Sequence, residues 1–514
     1  MTPAPSSRPP LAVAWTLCLL AAPVAAQGVT RLLSAWTGES HVAPAVTFVA
    51  LVPVLLAGIV ALLTAVARPV VGGSLAALTF AASLLWIGPV AAITTTLIAG
   101  WLAAVGLPRL ATVVPVPRGR VAGAFWALLA VLAVVQNARM SVFMADPTQR
   151  WGALLPSVEF ATKHSCLTSY VHGAALVEHD VNIYDDRYSF ESEPQLPAVI
   201  DIGPLTMDSY EYPPQFLPLP ALFRALTGDF MAIRALWFLL TAAVFAGVSV
   251  VIARWLGGEA GRRALLLAPA VWLSPPLLIT AYFGNFQSIA MALSALAMLA
   301  IFRGHTRSGA ALLAFLIGAK IFPGILGVYL LAARRFAAAA WTAAFSALFA
   351  ALALLVVGTL PFVDFIKFHL PRLASGETFS FLSEPGATMT NFGAFGIPFK
   401  LRLIGWAGSE ADAWALARPV AWTYTLIVVA VAVAAGWRRQ PATSTQQQVA
   451  LLGGWFGLLA LGAMRSPFAP PEALIPILWA LSLRAAAASR PRDASIAAAL
   501  WIVMMIVIPT PAPA

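Results

Sequence analysis

Apolar runs of about 17 to 25 residues, each long enough to cross a hydrocarbon core of roughly 30 Å, recur from one end of this 514-residue chain to the other. Segments of that kind must satisfy their backbone hydrogen bonds internally, which makes them helices. The composition agrees, with 60% of residues hydrophobic and only 10% charged. Spans are expected near 43–66, 71–88, 90–108, 121–137, 231–253, 264–282, 287–302, 337–360, 414–436, 449–465, 471–485 and 494–510. A further run, Leu11 to Ala26, follows Arg8 and ends in small residues. It reads as either a signal peptide or a first helix. No stretch between the spans is long enough for a large independent domain.

The formal net charge of +10 would suggest nucleic acid in a soluble protein. Here most of the arginines fall in short loops, as cytoplasmic loops of membrane proteins require, so no nucleic-acid partner is expected. Arg109, Arg118 and Arg120 place the loop before the 121–137 span in the cytoplasm. The segment after that span is then extracytoplasmic, and the later arginine clusters alternate consistently. Two segments do not fit simple crossing. Tyr212 to Leu226 carries Pro213, Pro214, Pro218 and Pro220 and is expected to be interfacial or re-entrant. Ala310 to Leu331 lies between two cytoplasmic arginine clusters, which predicts a re-entrant hairpin with Lys320 near its tip.

Against this oily background, 11 of the 21 acidic residues and three of the six histidines fall between Asn137 and Tyr212. Carboxylates are costly near lipid, and grouped ones serve as general bases, metal ligands or clamps for sugar hydroxyls. For any single carboxylate a solvated loop is the simpler reading; for the set, chemistry is. The candidate catalytic acids are Asp146, Asp180, Asp208 and Glu211, and Glu178-x-Asp180 has a spacing that permits a divalent cation. The two cysteines, Cys18 and Cys166, offer no disulfide and no Cys/His cluster at zinc spacing. A second polar loop, 361–413, is expected on the same face, so that the two loops cap a cavity.

The motifs come in a recognisable order. Tyr170…Ala174-Ala175 is followed by Asn182-Ile183-Tyr184-Asp185 and Tyr210-Glu211-Tyr212-Pro213-Pro214. Downstream come Gly284-Asn285-Phe286-Gln287, Ala319-Lys320-Ile321-Phe322-Pro323, Asn391-Phe392-Gly393 and Ser466-Pro467. Together, over roughly 121–485, they resemble the GT-C membrane glycosyltransferases, in particular glycosyltransferase family 87 (DUF2029). The resemblance implies an all-α polytopic membrane protein: a GT-C-like bundle of about 13 transmembrane helices plus a re-entrant hairpin, with extracytoplasmic loops forming a small cap. In that scheme residues 1–120 are N-terminal membrane helices, 121–485 the core with loops 138–230 and 361–413, and 486–514 a C-terminal helix.

It further implies transfer of a mannose- or arabinose-like sugar, with inversion, from a polyprenyl-phosphate donor to an envelope glycan or glycolipid acceptor. The setting would be the extracytoplasmic face of a bacterial plasma membrane, among its lipids. Lys320 and Arg465 are then candidate partners of the lipid phosphate; a snorkelling lysine and an ordinary interfacial arginine are the plainer readings. Asn285 and Gln287 bind sugar or cap a helix, and His172, Tyr212 and Asn391 complete the candidate binding residues. The chain departs from the family at one point. Members often carry an Asp shortly before the Tyr…Ala-Ala segment as the favoured base, and here that position is Cys166. A transporter or lipid flippase is the rival reading. It fits less well, because the acids sit in an external loop and the chain shows no internal duplication.

Overall fold

The structure is a computed structural model, and it describes residues 120–188, 200–405, 408–438 and 443–507. The expected spans before residue 120, the first apolar run and most of the N-terminal division lie outside the described residues. Every regular element among the described residues is helical. By length and composition three helices can cross a membrane: Phe230–Leu256, Phe336–Val357 and Glu410–Trp437. A fourth joins them if Gly258–Trp272 and Pro275–Tyr282 count as one interrupted span. Helices also stand at the other expected positions from 287 onward, but the thirteen expected crossings are not reached among the described residues. Gln287–Phe302, for instance, has 16 residues, about 24 Å at 1.5 Å per residue.

The chain forms two compact units. The described part of the first comprises 120–163, 226–254 and 262–272. Its tie is an arginine inside an otherwise apolar helix. Arg234, 1% exposed, donates from Nη1 to the carbonyl of Phe143 at 2.7 Å and lies over the Phe143 ring. Those carbonyls end the Arg120–Ala145 helix, where unpaired C=O groups and the helix dipole favour a cation. Six residues earlier on the same helix, Asn137 accepts at Oδ1 from the indole N–H of Trp272 at 2.6 Å.

The second unit, 164–225, 255–261 and 273–514, holds most of the motif residues. Its centre is Gln287–Phe302, nearly every residue of which is buried. Its rim is Phe336–Val357 and Glu410–Trp437, where Leu355 is 83% and Leu426 70% exposed. Apolar surface of that extent suits lipid rather than water. The expected break at Lys320 is present: Thr306–Ala319 stops there with extended backbone (φ −143°, ψ 124°), and Ile325–Ala332 resumes after a 3₁₀ turn through Pro323. The proline-rich segment begins as a 3₁₀ turn and continues as a short helix, Pro218–Leu226. The described residues between 361 and 405 fold into short helical pieces, and Leu382, Phe395 and Phe399 form an apolar cluster with Ala413, Ala417 and Ala421 of the Glu410–Trp437 helix.

The motif around Tyr170 lies on a helix, Cys166–Leu176, of which every residue from Leu167 to Leu176 is buried. Its small residues serve close packing: a Cβ on Gly173 would lie 2.8 Å from the Tyr210 ring. The tightest helix contact is at Gly309, where a Cβ would stand 2.6 Å from the Ala297 carbonyl and 2.9 Å from the Ile301 nitrogen. Backbone cannot yield as a side-chain tip can. Gly309→Ala is therefore expected to cost about 1–3 kcal/mol, read as a lower midpoint of thermal unfolding in detergent. An unchanged midpoint contradicts this packing.

Candidate active site

The site is assembled by one buried threonine. Thr168, fully buried, donates from Oγ1 to the Ser165 carbonyl at 2.7 Å and the Thr206 carbonyl at 3.2 Å. The same oxygen accepts the Asp208 backbone N–H at 3.2 Å. The start of the Cys166–Leu176 helix is thereby stitched to the 206–208 strand of loop, which carries Asp208 to His164 and Cys166. Nδ1 of His164 is 3.4 Å from Oδ2 of Asp208, and its Nε2 is 3.5 Å from the Cys166 sulfur.

About one turn into that helix, Tyr170 takes over the positioning. Its hydroxyl donates to the Tyr212 hydroxyl at 2.6 Å and accepts the Phe286 N–H at 3.1 Å. Tyr184 donates to the Tyr212 carbonyl at 3.0 Å, and Tyr210 to the Pro213 carbonyl at 3.0 Å. The Tyr-Glu-Tyr-Pro-Pro turn is thus locked from both sides. Over the Tyr212 ring, 4.8 Å from its centroid, sits the Lys320 ammonium. It donates to Oδ1 of Asn285 at 3.0 Å and Oε1 of Gln287 at 2.8 Å. An ammonium has three donors, so one remains for an anion. Asn285 also accepts the Gln287 N–H at the start of the central helix at 3.0 Å.

Cys166 is the point where these groups meet. It hydrogen-bonds Asn285 and feels the charges of Asp208, Glu472 and Lys320. Burial first, then the two neighbouring acids, push its thiol well above the ordinary range, so it stays protonated and is a poor base. Burial pushes Asp208 up to about 7 and His164 down to about 4, so this pair is largely uncharged at neutral pH despite its ion-pair distance. Asp208 nevertheless keeps 18% of its side chain open. Burial likewise raises Glu472 to about 7, against the pull of Lys320.

A second group of ionisable side chains joins the acidic segment to loop 361–413. Arg372 pairs with Asp186 at 2.8 Å and Glu377 at 3.1 Å. His369, 1% exposed, stacks on Tyr184 and lies 3.3 Å from Oε2 of Glu211, although the two atoms are poorly aligned for a hydrogen bond. Burial lifts Glu211 to about 8 and lowers His369 to about 4; this contact is between neutral groups. Ser209 donates to the other oxygen of Glu211 at 3.0 Å.

The remaining sequence candidates are distributed elsewhere. Asp146 belongs to the first unit, where its carboxylate accepts from Thr148 and Gln149. Asp180 is exposed at a left-handed position (φ 53°). Glu178 is paired with Arg224 at 2.9 Å, which competes with any cation there. His172 is buried with Nε2 against the Tyr188 carbonyl at 2.9 Å. Arg465 is engaged by the Thr425 hydroxyl and lies over Trp422. Asn391 is fully buried and uses its amide on backbone: it donates to Pro467 and accepts from Gly393 and Ala469. It staples two loops.

Sequence reasoning passed over His164, His369 and Glu472. Glu472 carried a usable signal, being the one acid between Asp412 and Asp493. His164 carried a local one, standing two residues from Cys166 in the acidic segment, but its carboxylate partner is 44 positions away (208 − 164) and that of His369 is 158 away (369 − 211).

Comparison with known proteins gives one match: the model of glycosyltransferase family 87 matches residues 210–462. That stretch includes Tyr212, Asn285, Gln287, Lys320, His369 and Asn391, and begins after His164, Cys166 and Asp208. No curated protein and no solved structure matches the chain.

Removing the Asn391 staple leaves two buried N–H groups without acceptors. Asn391→Ala is expected to lower stability by roughly 3 kcal/mol, measured by thermal or denaturant unfolding in detergent, with the KM for the sugar donor little changed. Unchanged stability together with a raised KM would make Asn391 a ligand contact instead.

Proposed function

We propose that this chain, whose residues 210–462 match the model of glycosyltransferase family 87, is a glycosyltransferase that moves a mannose- or arabinose-like sugar from a polyprenyl-phosphate donor to a glycan or glycolipid acceptor at the extracytoplasmic face of a bacterial plasma membrane. The observation that carries this reading is the meeting of Asp208 and Lys320 around Cys166: a carboxylate open to a solute and an ammonium with a donor to spare, in one partly buried place.

The chemistry follows from the charges. The acceptor hydroxyl gives its proton to the Asp208 carboxylate as its oxygen attacks the anomeric carbon. The bond from that carbon to the lipid phosphate breaks on the opposite face, which inverts the configuration. Negative charge builds on the departing phosphate, and the Lys320 ammonium, held by Asn285 and Gln287, meets it. Cys166 stands where the family favours an aspartate, and Asp208, brought beside it by Thr168, supplies the carboxylate. The low dielectric that raises Asp208 to about 7 also makes it a stronger base than a solvated carboxylate. The arginine alternation supports the extracytoplasmic placement.

Two outcomes test this. Asp208→Asn is expected to lower kcat for transfer about 10²–10⁴-fold, and Lys320→Ala about 10²–10³-fold, with thermal unfolding confirming that each variant is folded. Transfer within threefold of the parent in Asp208→Asn contradicts the assignment. The base form of Asp208 is the deprotonated one, so kcat/KM is expected to fall about tenfold per pH unit below about 7. His164 stays neutral near that pH, while Glu472 titrates close to it. Glu472→Gln therefore serves as the control, and should leave the limb in place. Loss of the limb in Glu472→Gln assigns it to that residue and contradicts the role of Asp208.

A further inference from the structure

Read along the chain, the sequence has no Cys/His cluster at zinc spacing. The fold nevertheless assembles a mixed ligand set from two segments: His164 and Cys166 beside the start of one helix, and Asp208 from the loop stitched to it. We propose that His164, Cys166 and Asp208 form a binding site for a thiophilic divalent cation of the zinc class.

One donor atom from each of the three side chains lies within 4.8 Å of the other two. The Cys166 sulfur and His164 Nε2 are 3.5 Å apart. A tetrahedral zinc that binds sulfur at about 2.3 Å and imidazole nitrogen at about 2.0 Å holds the two about 3.5 Å apart. The Asp208 carboxylate now faces Nδ1 at 3.4 Å, and a swing of that carboxylate toward Nε2 closes the third edge. The frame is built independently of any metal. Phe283 meets the His164 ring edge-on at 4.7 Å, Ser165 between the two ligands donates to the Phe283 carbonyl, and Thr168 anchors the Asp208 backbone.

The donor set selects the ion. A thiolate with an imidazole and one carboxylate suits zinc-class metals, whereas magnesium and calcium require mostly oxygen. Three protein ligands leave a fourth position for water. The exposed fractions of His164 and Asp208, 16% and 18%, give a path of entry. On binding, the metal takes the sulfur as thiolate and the thiol proton leaves to solvent. This inference goes beyond the transfer reaction: a carboxylate bound to metal cannot take the acceptor proton, so the metal-loaded protein is a resting form. The same three residues without metal make a hydrogen-bonded relay, with His164 bridging sulfur and carboxylate.

Cobalt(II) titration of the full-length protein in detergent separates the two arrangements. The expected result is about one equivalent bound, with sulfur-to-cobalt charge-transfer absorption in the near ultraviolet that zinc(II) displaces. The band should vanish in Cys166→Ser and in His164→Ala, and persist in Cys18→Ser, which removes the only other cysteine. Unfolding curves confirm that each variant is folded. Absence of the band in the folded parent protein, or its survival in Cys166→Ser, overturns the site. Transfer that disappears on chelation and returns with zinc overturns the resting form. None of the absorption readings depends on transfer, so failure of the metal site and failure of Asp208 as the base are told apart.

Discussion

A lysine ammonium can rest among apolar side chains only where oxygen, a ring face or an opposite charge meets it. In this protein that requirement organises the second unit. Lys320 stands at the break between two short apolar helices. Its partners Asn285 and Gln287 are the first polar groups of the buried central helix. The ring beneath it, Tyr212, is fixed by Tyr170 and Tyr184. Three chain segments are thus held in register by one cation. A helix interruption at such a place leaves its backbone groups without helical partners, and these are tolerated where protein or a polar cavity receives them.

The same enclosure that makes Lys320 costly keeps the surrounding acids close to neutral. Asp208 and Glu472 are each raised to about 7 by burial, and Glu211 to about 8. A carboxylate in that state takes up a proton readily near neutral pH, which is what removal of a hydroxyl proton during sugar transfer needs. Burial and the neighbouring acids also raise Cys166, at the centre, so its thiol stays protonated and is a poor base. Thr168 holds the Asp208 backbone alongside it.

The helical class and the break at Lys320 were legible in the sequence, because each follows from where charge and proline can sit in an apolar chain; the pairing of Asp186 with Arg372 was not. Lys320 could be singled out as a lone cation in its run. Its partners Asn285 and Gln287 could be listed, but the bond between them and the lysine crosses 35 and 33 positions and leaves no local pattern. Asp146, Asp180 and Asp208 looked equivalent as loop acids; only tertiary contacts distinguish a turn-capping Asp146 and an exposed Asp180 from an enclosed Asp208. The small residues of the Cys166–Leu176 helix allow close packing against Tyr210, which the sequence alone does not show. Asn391, a polar residue in a motif, spends its amide oxygen and one N–H on backbone groups of two loops, contacts that leave no local pattern in the sequence.

A structure with a lipid-phosphate sugar bound tests the central claim most directly. The account predicts a phosphate oxygen within hydrogen-bonding distance of Lys320 Nζ and the Asp208 carboxylate facing the anomeric carbon from the opposite side. A phosphate held away from Lys320, or an anomeric carbon facing Glu211 or Glu472 instead of Asp208, would contradict it.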